Sequence, residues 1–306
     1  MKELRGSMVA LVTPFKNQKV DLNALARLVD FHAKNGTSAV VPCGTTGESP
    51  TLSHKEHQDV IRATVEAADG RLLVIAGTGS NCTDEAVTLT RFAKKAGADA
   101  CLSVVPYYNK PTQEGLIRHF TAIAVKGSLP VVLYNIPGRS GVALLGDSIA
   151  KLARIEEIVA IKEATGSMDV ASEILTRTDL TVLSGDDSLT LPLLALGARG
   201  VISVVANLVP EDVALMIRLF EEDDLSEARK IHRQLFPLVK ALFLETNPIP
   251  VKAAMQMLRM DTGEIRLPLC PMSRSNRDVL KRRLKAYLSA STAQGYRKFL
   301  GSRRVL

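Results

Sequence analysis

The stretch Ile158-Val159-Ala160-Ile161-Lys162-Glu163-Ala164-Thr165-Gly166 carries the clearest indication of the fold. Four aliphatic residues without polar alternation are typical of a parallel strand that is covered on both faces. A lysine and a glycine-containing loop follow. Burial among aliphatic side chains disfavours the charged form of an amine, so a neutral Lys162 would be available to attack a carbonyl carbon. The stretch therefore predicts a buried parallel strand that ends in a Schiff-base lysine.

Seven other short runs of aliphatic and β-branched residues resemble this one, and each is bounded by Gly, Pro or Asn. The eight predicted strands are Ser7-Val12, Ala39-Cys43, Leu72-Ala76, Ala100-Val105, Val131-Asn135, Ile158-Lys162, Thr181-Ser184 and Val201-Val205. Amphipathic helical patterns lie between them. Eight alternating strands and helices predict an α/β fold, a (β/α)8 TIM barrel.

The pattern changes after the last predicted strand, because only helices follow. They are predicted at Asp212-Glu221, Leu225-Glu245, Ile249-Met260 and Ser275-Ser291. No low-complexity linker precedes them. We therefore expect a catalytic barrel over residues 1–222 and a C-terminal helical domain with a basic tail over residues 223–306.

The composition excludes several classes of protein. A hydrophobic content of 46% with 23% charged residues excludes extensive disorder. No apolar run approaches the roughly 20 residues of a membrane span, and the N-terminus lacks a signal-peptide core. We expect a cytoplasmic protein without membrane contact.

The formal net charge of +7 comes from the end of the chain, because ten of the 39 basic residues and one of the 32 acidic residues lie from Arg274 onward. Nucleic-acid binding would account for such a cluster, but few aromatic residues accompany it. A solvated terminal helix is the preferred interpretation.

The cysteine and histidine spacings do not favour a metal site. The four cysteines form no CxxC pair, so reduced and buried thiols are expected, with a nucleophilic Cys43 as the less favoured alternative. His54 and His57 are three residues apart near a helix start, but no acidic ligand of a His-Glu-x-x-His motif accompanies them.

Other predicted strand ends also carry reactive groups, and barrel active sites lie at the carboxyl ends of the strands. The turn Gly44-Thr45-Thr46-Gly47 offers two hydroxyls and backbone N–H groups to a small carboxylate. Tyr134 should point where Lys162 points and could shuttle protons. Arg139 follows Pro137-Gly138 in a predicted loop, where it could bind a substrate carboxylate. This convergence disfavours a lysine that directs its amine to solvent. The alternatives for the other residues are an ordinary glycine turn, a core tyrosine and a surface ion pair.

Three motifs give the chain its family resemblance: Gly44-Thr45-Thr46-Gly47-Glu48-Ser49, Tyr134-Asn135-Ile136-Pro137-Gly138-Arg139 and Ile161-Lys162-Glu163-Ala164-Thr165-Gly166. From Gly6 to about Leu288 the sequence resembles the dihydrodipicolinate synthase family of the pyruvate-dependent class I aldolases. The resemblance implies that Lys162 forms a Schiff base with pyruvate. The resulting enamine then attacks L-aspartate 4-semialdehyde, in the lysine and diaminopimelate biosynthetic pathway.

The resemblance also implies roles for individual residues. Tyr134 and Thr45 would form a proton relay with Tyr108 from a neighbouring subunit. Thr46 would hold the pyruvate carboxylate and Arg139 the carboxylate of the semialdehyde. The backbones of Gly185 and Ile202 would line the pocket. No metal or organic cofactor is implied, because the lysine itself serves as the electron sink.

Regulation and assembly are implied in the same way. L-lysine would act as a feedback inhibitor, bound at Ser49, His54, His57, Asn81, Glu85 and Tyr107. A homotetramer built as a dimer of dimers is expected. Two features depart from the family pattern: Pro50 replaces a residue that is often small, and the tail from about Ser289 extends past the usual end.

Two other functions are weighed against this one. N-acetylneuraminate lyase or another pyruvate-dependent sugar-acid aldolase would share Lys162 and Tyr134, but sugar lyases generally lack an arginine at the position of Arg139. A non-catalytic paralogue that binds a metabolite or nucleic acid is disfavoured by the retention of Thr45, Tyr134 and Lys162 together.

Overall fold

Eight parallel strands close into a barrel in the computed structural model, which describes residues 3–290. The strands are β1 Gly6–Ala10, β2 Ala39–Val41, β3 Leu73–Gly77, β4 Ala100–Val104, β5 Val131–Asn135, β6 Ile158–Glu163, β7 Thr181–Ser184 and β8 Gly200–Ser203. Each strand pairs with the next along the chain, and Gly6 pairs with Gly200 to close the barrel. The predicted (β/α)8 barrel is confirmed.

Helices surround the barrel and continue beyond it. Their bounds are Leu22–Lys34, His54–Ala68, Thr83–Ala96, Gln113–Gly127, Pro137–Ser140, Gly146–Leu152, Met168–Arg177, Thr190–Leu196, Pro210–Glu221, Leu225–Ala241, Ile249–Met257 and Arg274–Ala290. A short antiparallel ribbon pairs Phe15–Lys16 with Lys19–Val20. Ser53 starts its helix with a capping box, in which its hydroxyl and the Glu56 carboxylate each accept a backbone N–H bond.

Several predicted boundaries were wrong by two or more residues. The first two predicted strands, which were expected to reach Val12 and Cys43, end at Ala10 and Val41. The strand predicted to reach Val205 ends at Ser203, because the N–H groups of Val204 and Val205 donate to the Asp187 carboxylate at 2.9 and 3.1 Å.

Three helix boundaries also differ by two or more residues. The helix predicted from Asp212 begins at Pro210. The helix predicted to reach Glu245 ends at Ala241, and the one predicted to reach Met260 ends at Met257, just before Arg259 turns to a left-handed φ of 56°. The last helix begins at Arg274, and Ser291 lies outside the described residues.

Two hydrophobic clusters form the core. The smaller one fills the barrel interior and includes Met8, Leu102, Val132, Leu183 and Ile202. The larger one lies between the strands and the helices, and it extends without a break to Leu238 and Leu284 of the C-terminal helices. Because those helices share this cluster with the barrel, the division into two domains at residue 222 stays a prediction.

The pairing of β5 with β6 contains a β-bulge. Val131 pairs with Ile158, but Val132 pairs with Ala160, so Val159 has no partner across the ladder. Beyond the bulge Tyr134 pairs with Lys162. Bulges of this kind redirect the side chains that follow them.

Neither a membrane span nor a metal cluster is found in the part of the chain that the structure describes. No helix within residues 3–290 has the length and apolar character needed to cross a bilayer. Over the same range, no group of three or more His, Cys, Asp and Glu side chains is placed to bind a metal ion.

Candidate active site

Lys162 and Tyr134 meet inside the carboxyl end of the barrel. Both side chains are buried, and the Nζ atom of Lys162 lies 4.3 Å from the centroid of the Tyr134 ring. Within residues 3–290 no salt bridge joins Lys162 to a carboxylate. The predicted common direction of these two side chains is confirmed, and it places a buried amine next to a phenol.

Gly185, at the end of β7, leaves room for Lys162. A Cβ atom at this position would lie 3.2 Å from Cε of Lys162 and only 2.6 Å from Cβ of Ala164. The N–H of Gly185 donates to the carbonyl oxygen of Glu163 at 2.7 Å. Any side chain at position 185 would therefore press on the strand end that carries the lysine.

The turn at residues 44–48 follows β2 and is tightly fixed. The N–H of Gly47 donates to the carbonyl of Gly44, and that of Glu48 donates to the carbonyl of Thr45, both at 3.1 Å. The hydroxyl of Thr13 donates to the carbonyl of Gly47 at 2.7 Å. A Cβ atom at Gly77 would lie 2.2 Å from the Cys43 carbonyl oxygen, so the end of β3 packs directly against the turn.

Asn247 links two of the predicted binding residues, and the sequence analysis missed it. Its side-chain NH2 group donates to the hydroxyl of Thr46 at 2.9 Å, and its backbone carbonyl accepts from Nη2 of Arg139 at 3.3 Å. Asn247 is buried, and its Oδ1 has no hydrogen-bond partner among residues 3–290. Arg139 itself lies in the short helix Pro137–Ser140 rather than in the predicted loop.

A cavity of about 300 Å³ opens at this end of the barrel. Its lining includes Thr45, Tyr134, Arg139, Asn247 and Tyr107. Lys162 adjoins it through the ring of Tyr134. The predicted catalytic and substrate-binding residues that do not line the cavity are Lys162, Thr46, Gly185, Ile202 and Tyr108.

Tyr108 stands apart from the other predicted catalytic residues. It is 90% exposed and has a left-handed φ of 72°. Its ring does not line the cavity of its own chain. Ile202 differs in the opposite way, because its side chain is buried in the barrel interior and only its backbone is left to face a ligand.

The cysteine prediction was half wrong. Cys43 and Cys101 are buried, but Cys82 and Cys270 are exposed, because Cys82 precedes the helix Thr83–Ala96 at the surface and Cys270 lies in a surface loop. Burial raises the pKa of the Cys43 thiol well above its usual range. A thiol held in its protonated form is a poor nucleophile, so the structure disfavours the alternative role for Cys43.

The residues of the predicted lysine site lie together beside the cavity. Nδ1 of His54 is 3.5 Å from Oε1 of Glu85, and the amide of Asn81 donates to the carbonyl of Tyr107 at 3.2 Å. The ring of His57 donates from Nε2 to the carbonyl of Gly77 at 2.7 Å, and burial lowers its pKa. Ser49 and Tyr107 also line this cavity, so the cavity and the predicted lysine site share a wall.

Glu85 is the charged centre of this group. Its carboxylate accepts a hydrogen bond from the hydroxyl of Ser80, and it is the only acidic residue of the predicted set. Burial raises the pKa of Tyr107, and the negative charge of Glu85 raises it further. Pro50 lies in the short 3-10 turn Ser49–Thr51, next to the shared wall.

Comparison with known proteins gives a consistent result. The family model described as the dihydrodipicolinate synthetase family matches residues 3–287. A 4-hydroxy-tetrahydrodipicolinate synthase from Thermodesulfovibrio yellowstonii is 53% identical over 284 residues, which cover 92% of this chain and 98% of the relative.

Two solved structures extend the comparison. The crystal structure of dihydrodipicolinate synthase from Aquifex aeolicus is 54% identical, with a TM-score of 0.92 over 93% of this chain and 98% of the other. The enzyme from Cyanidioschyzon merolae with lysine bound is 42% identical, with a TM-score of 0.91 over 94% of this chain and 99% of the other.

Proposed function

Because this chain belongs to the dihydrodipicolinate synthetase family, we propose that Lys162 carries its substrate as a Schiff base. The reaction is that of a 4-hydroxy-tetrahydrodipicolinate synthase, and the enzyme is a lyase of the class I aldolase type. The observation that carries the proposal is the buried Lys162, whose amine lies 4.3 Å from the Tyr134 ring centroid without a carboxylate partner in the described chain.

The proposed reaction begins when the amine of Lys162 attacks the keto carbon of pyruvate. The carbinolamine loses water to give an imine, and loss of a methyl proton gives an enamine. The enamine carbon then bonds to the aldehyde carbon of L-aspartate 4-semialdehyde, which restores the imine, and the aldehyde oxygen takes a proton to become a hydroxyl. The amino group of that substrate attacks the imine carbon, which closes the ring and releases Lys162.

Proton transfer is assigned to Tyr134, Thr45 and Tyr108. Carbinolamine formation and dehydration both need a group that gives and takes a proton next to the amine. The position of the Tyr134 ring supports this role, and Thr45 lines the same cavity. Tyr108 would complete the relay from another subunit, which its 90% exposure supports.

The two substrate carboxylates are assigned to different residues. Thr46 and the backbone of its turn would hold the pyruvate carboxylate, with the backbones of Gly185 and Ile202 lining the reacting centre. Arg139 lines the cavity and would bind the carboxylate of the semialdehyde. Its planar guanidinium suits a two-point contact of this kind.

The direct test is borohydride reduction in the presence of pyruvate, followed by peptide mapping. We expect one covalent adduct on Lys162, and none in Lys162→Ala. An adduct on another lysine, or no adduct with any 2-oxo acid, contradicts the proposal.

Arg139→Lys separates the two carboxylate sites. The KM for the semialdehyde should rise far more than the pyruvate concentration needed for adduct formation, because lysine cannot reproduce the planar clamp. Equal changes in both would show that Arg139 has only a structural role. Efficient cleavage of N-acetylneuraminate by the unmodified enzyme would instead favour the sugar-acid aldolase.

Assembly and location are part of the proposal. We infer a homotetramer, built as a dimer of dimers, in the cytoplasm. Mixing inactive Tyr108→Phe chains with inactive Lys162→Ala chains should restore part of the activity, because some mixed dimers hold one intact site. Mixtures that exchange subunits but stay inactive would place both residues in one chain's site.

Inhibition by L-lysine is inferred at the site formed by Ser49, His54, His57, Asn81, Glu85 and Tyr107. The carboxylate of Glu85 can receive an ammonium group, and the shared wall with the cavity offers a short route to the active site. Millimolar L-lysine should lower the activity of the wild type and not that of Glu85→Ala. A wild type indifferent to lysine rejects this inference and leaves the catalytic proposal standing.

A further inference from the structure

A buried ion pair joins the C-terminal helices to the turn at residues 44–48. Nζ of Lys252, in the helix Ile249–Met257, lies 2.7 Å from Oε1 of Glu48. The side chains of Lys252 and Glu48 are 1% and 0% exposed. The same Nζ donates to the carbonyl of Thr13 at 2.9 Å and lies 4.3 Å from the ring centroid of Phe15.

Both oxygens of the Glu48 carboxylate accept hydrogen bonds from the C-terminal segment, residues 249–290. Oε1 accepts from Lys252, and Oε2 accepts from the backbone N–H of Arg266 at 3.1 Å. Glu48 also has a left-handed φ of 54°, which an L-residue other than glycine adopts only at an energetic cost. The segment therefore fixes this residue in an unfavourable backbone conformation, at the end of the turn that carries Thr45 and Thr46.

A pair of this kind is a poor device for stability alone. Moving two charges out of water is costly, and replacing a buried ion pair by apolar groups of similar size is often neutral or stabilising. The role of this pair is to fix a position, because the short charged contact holds the Glu48 carboxylate in one place. Asp261 adds a third charge nearby, and burial raises the pKa of its carboxyl while the Lys252 charge lowers it.

We propose that Lys252 and Glu48 are positioning residues for the pyruvate site. Their contact holds the turn at residues 44–48 in the conformation that presents the hydroxyls of Thr45 and Thr46. The proposal rests on the proposed function, in which these hydroxyls serve pyruvate. It assigns to the C-terminal helices a part in substrate binding, although none of the predicted catalytic residues belongs to them.

The test uses the full chain and the double variant Lys252→Met/Glu48→Gln, in which both charges are removed. The introduced glutamine oxygen can still accept from the N–H of Arg266, and the introduced methionine fills the space beside Phe15. The measurement is the pyruvate concentration that gives half-maximal borohydride trapping on Lys162, together with the melting temperature. We expect that concentration to rise about tenfold to a hundredfold, as small misplacements of a binding group do, with a melting temperature near that of the wild type.

The single variant Lys252→Met and the control Tyr287→Phe sharpen the result. Lys252→Met leaves a buried carboxylate without its ammonium, so both readouts should worsen, and adding Glu48→Gln should restore the melting temperature but not the pyruvate response. The hydroxyl of Tyr287 donates to the Asp212 carboxylate, which ties the helix Arg274–Ala290 to the barrel elsewhere. Tyr287→Phe should lower the melting temperature without changing the pyruvate response.

Two results overturn the inference. If the double variant traps pyruvate at the wild-type concentration, the pair has no positioning role and acts only on stability. If the wild type itself forms no adduct on Lys162, the proposed function fails and the inference fails with it, so the two failures can be told apart.

Discussion

Two lysines are buried in the described part of this molecule, and they differ in what lies next to the amine. Each Nζ lies 4.3 Å from the centroid of an aromatic ring, Tyr134 for Lys162 and Phe15 for Lys252. Only Lys252 has a carboxylate, Glu48 at 2.7 Å, and a carbonyl, Thr13 at 2.9 Å. The aromatic contact therefore does not distinguish the two sites.

The difference shows how one residue type serves two purposes. The protons of Lys252 are committed to two acceptors, which suits a fixed structural contact. The described structure provides no such acceptors for Lys162, which is consistent with the proposed bond between its amine and a substrate carbon. A buried lysine is thus a candidate nucleophile when its neighbours leave it unpaired, and a structural residue when a carboxylate holds it.

The largest effect should come from Lys162→Met, which removes the amine and keeps a side chain of similar size. We expect kcat/KM to fall by about 10⁴-fold or more, as for other covalent nucleophiles. The free energy of unfolding should stay the same or rise, because no ion pair is lost. Steady-state kinetics and urea unfolding check both statements. Appreciable turnover in this variant would remove the distinction between the two lysines.

The second effect concerns the ring that lies beside Lys162. Tyr134→Phe keeps the aromatic contact and removes the hydroxyl, so it separates packing from proton transfer. We expect kcat to fall by about 10²-fold to 10⁴-fold, the usual contribution of a general acid or base. Activity near that of the wild type would show that the Tyr134 ring acts like the Phe15 ring, as packing only.

The third effect is the counterpart of the first at the other lysine. Lys252→Met should lower the free energy of unfolding by about 3–5 kcal/mol, because the Glu48 carboxylate stays buried without its partner. Urea unfolding gives the value, and Lys162→Met serves as the matched control. A smaller loss for Lys252→Met than for Lys162→Met would reverse the comparison.

The smallest effect is expected at a partly exposed ion pair between Arg266 of the C-terminal segment and Glu56. Hydrogen bonds from Arg266 lower the pKa of Glu56 to about 2 from 4.5. The folded state thus favours the ionised carboxylate, so the stability it adds is present above pH 4.5 and is lost as the pH falls toward 2. Unfolding of Glu56→Gln should show a flatter pH dependence over this window, by about 1 kcal/mol or less. Equal slopes for variant and wild type would contradict this.

The barrel and the central pair of the site could be predicted from the sequence because both follow local patterns. Aliphatic runs mark buried parallel strands, and the carboxyl ends of such strands meet at one rim. Lys162 and Tyr134 each end such a run, which was enough to predict that they meet. The pairing of Tyr134 with Lys162 across β5 and β6 confirms that prediction.

The partners from the C-terminal helices could not be predicted, for a physical reason. Asn247 meets Thr46 across 201 positions of the chain, and Lys252 meets Glu48 across 204. No periodicity connects residues so far apart. Lys252 lies in a helix where a lysine normally indicates a solvated face, so its burial follows from tertiary packing alone.

The bulge at Val159 determines which side of β6 the side chains after it face. Side chains of a regular strand alternate between its two sides, so Ile158 and Lys162, an even number of positions apart, would share one side. Here they do not: Ile158 packs in the cluster between the strands and the helices, whereas Lys162 lies beside Tyr134 of the barrel interior. Val159 is the extra residue of the bulge, and the side chains after it therefore face the opposite side of the strand. One valine without a partner in the β5–β6 ladder therefore lets the strand start against the helices and still end with its amine turned inward.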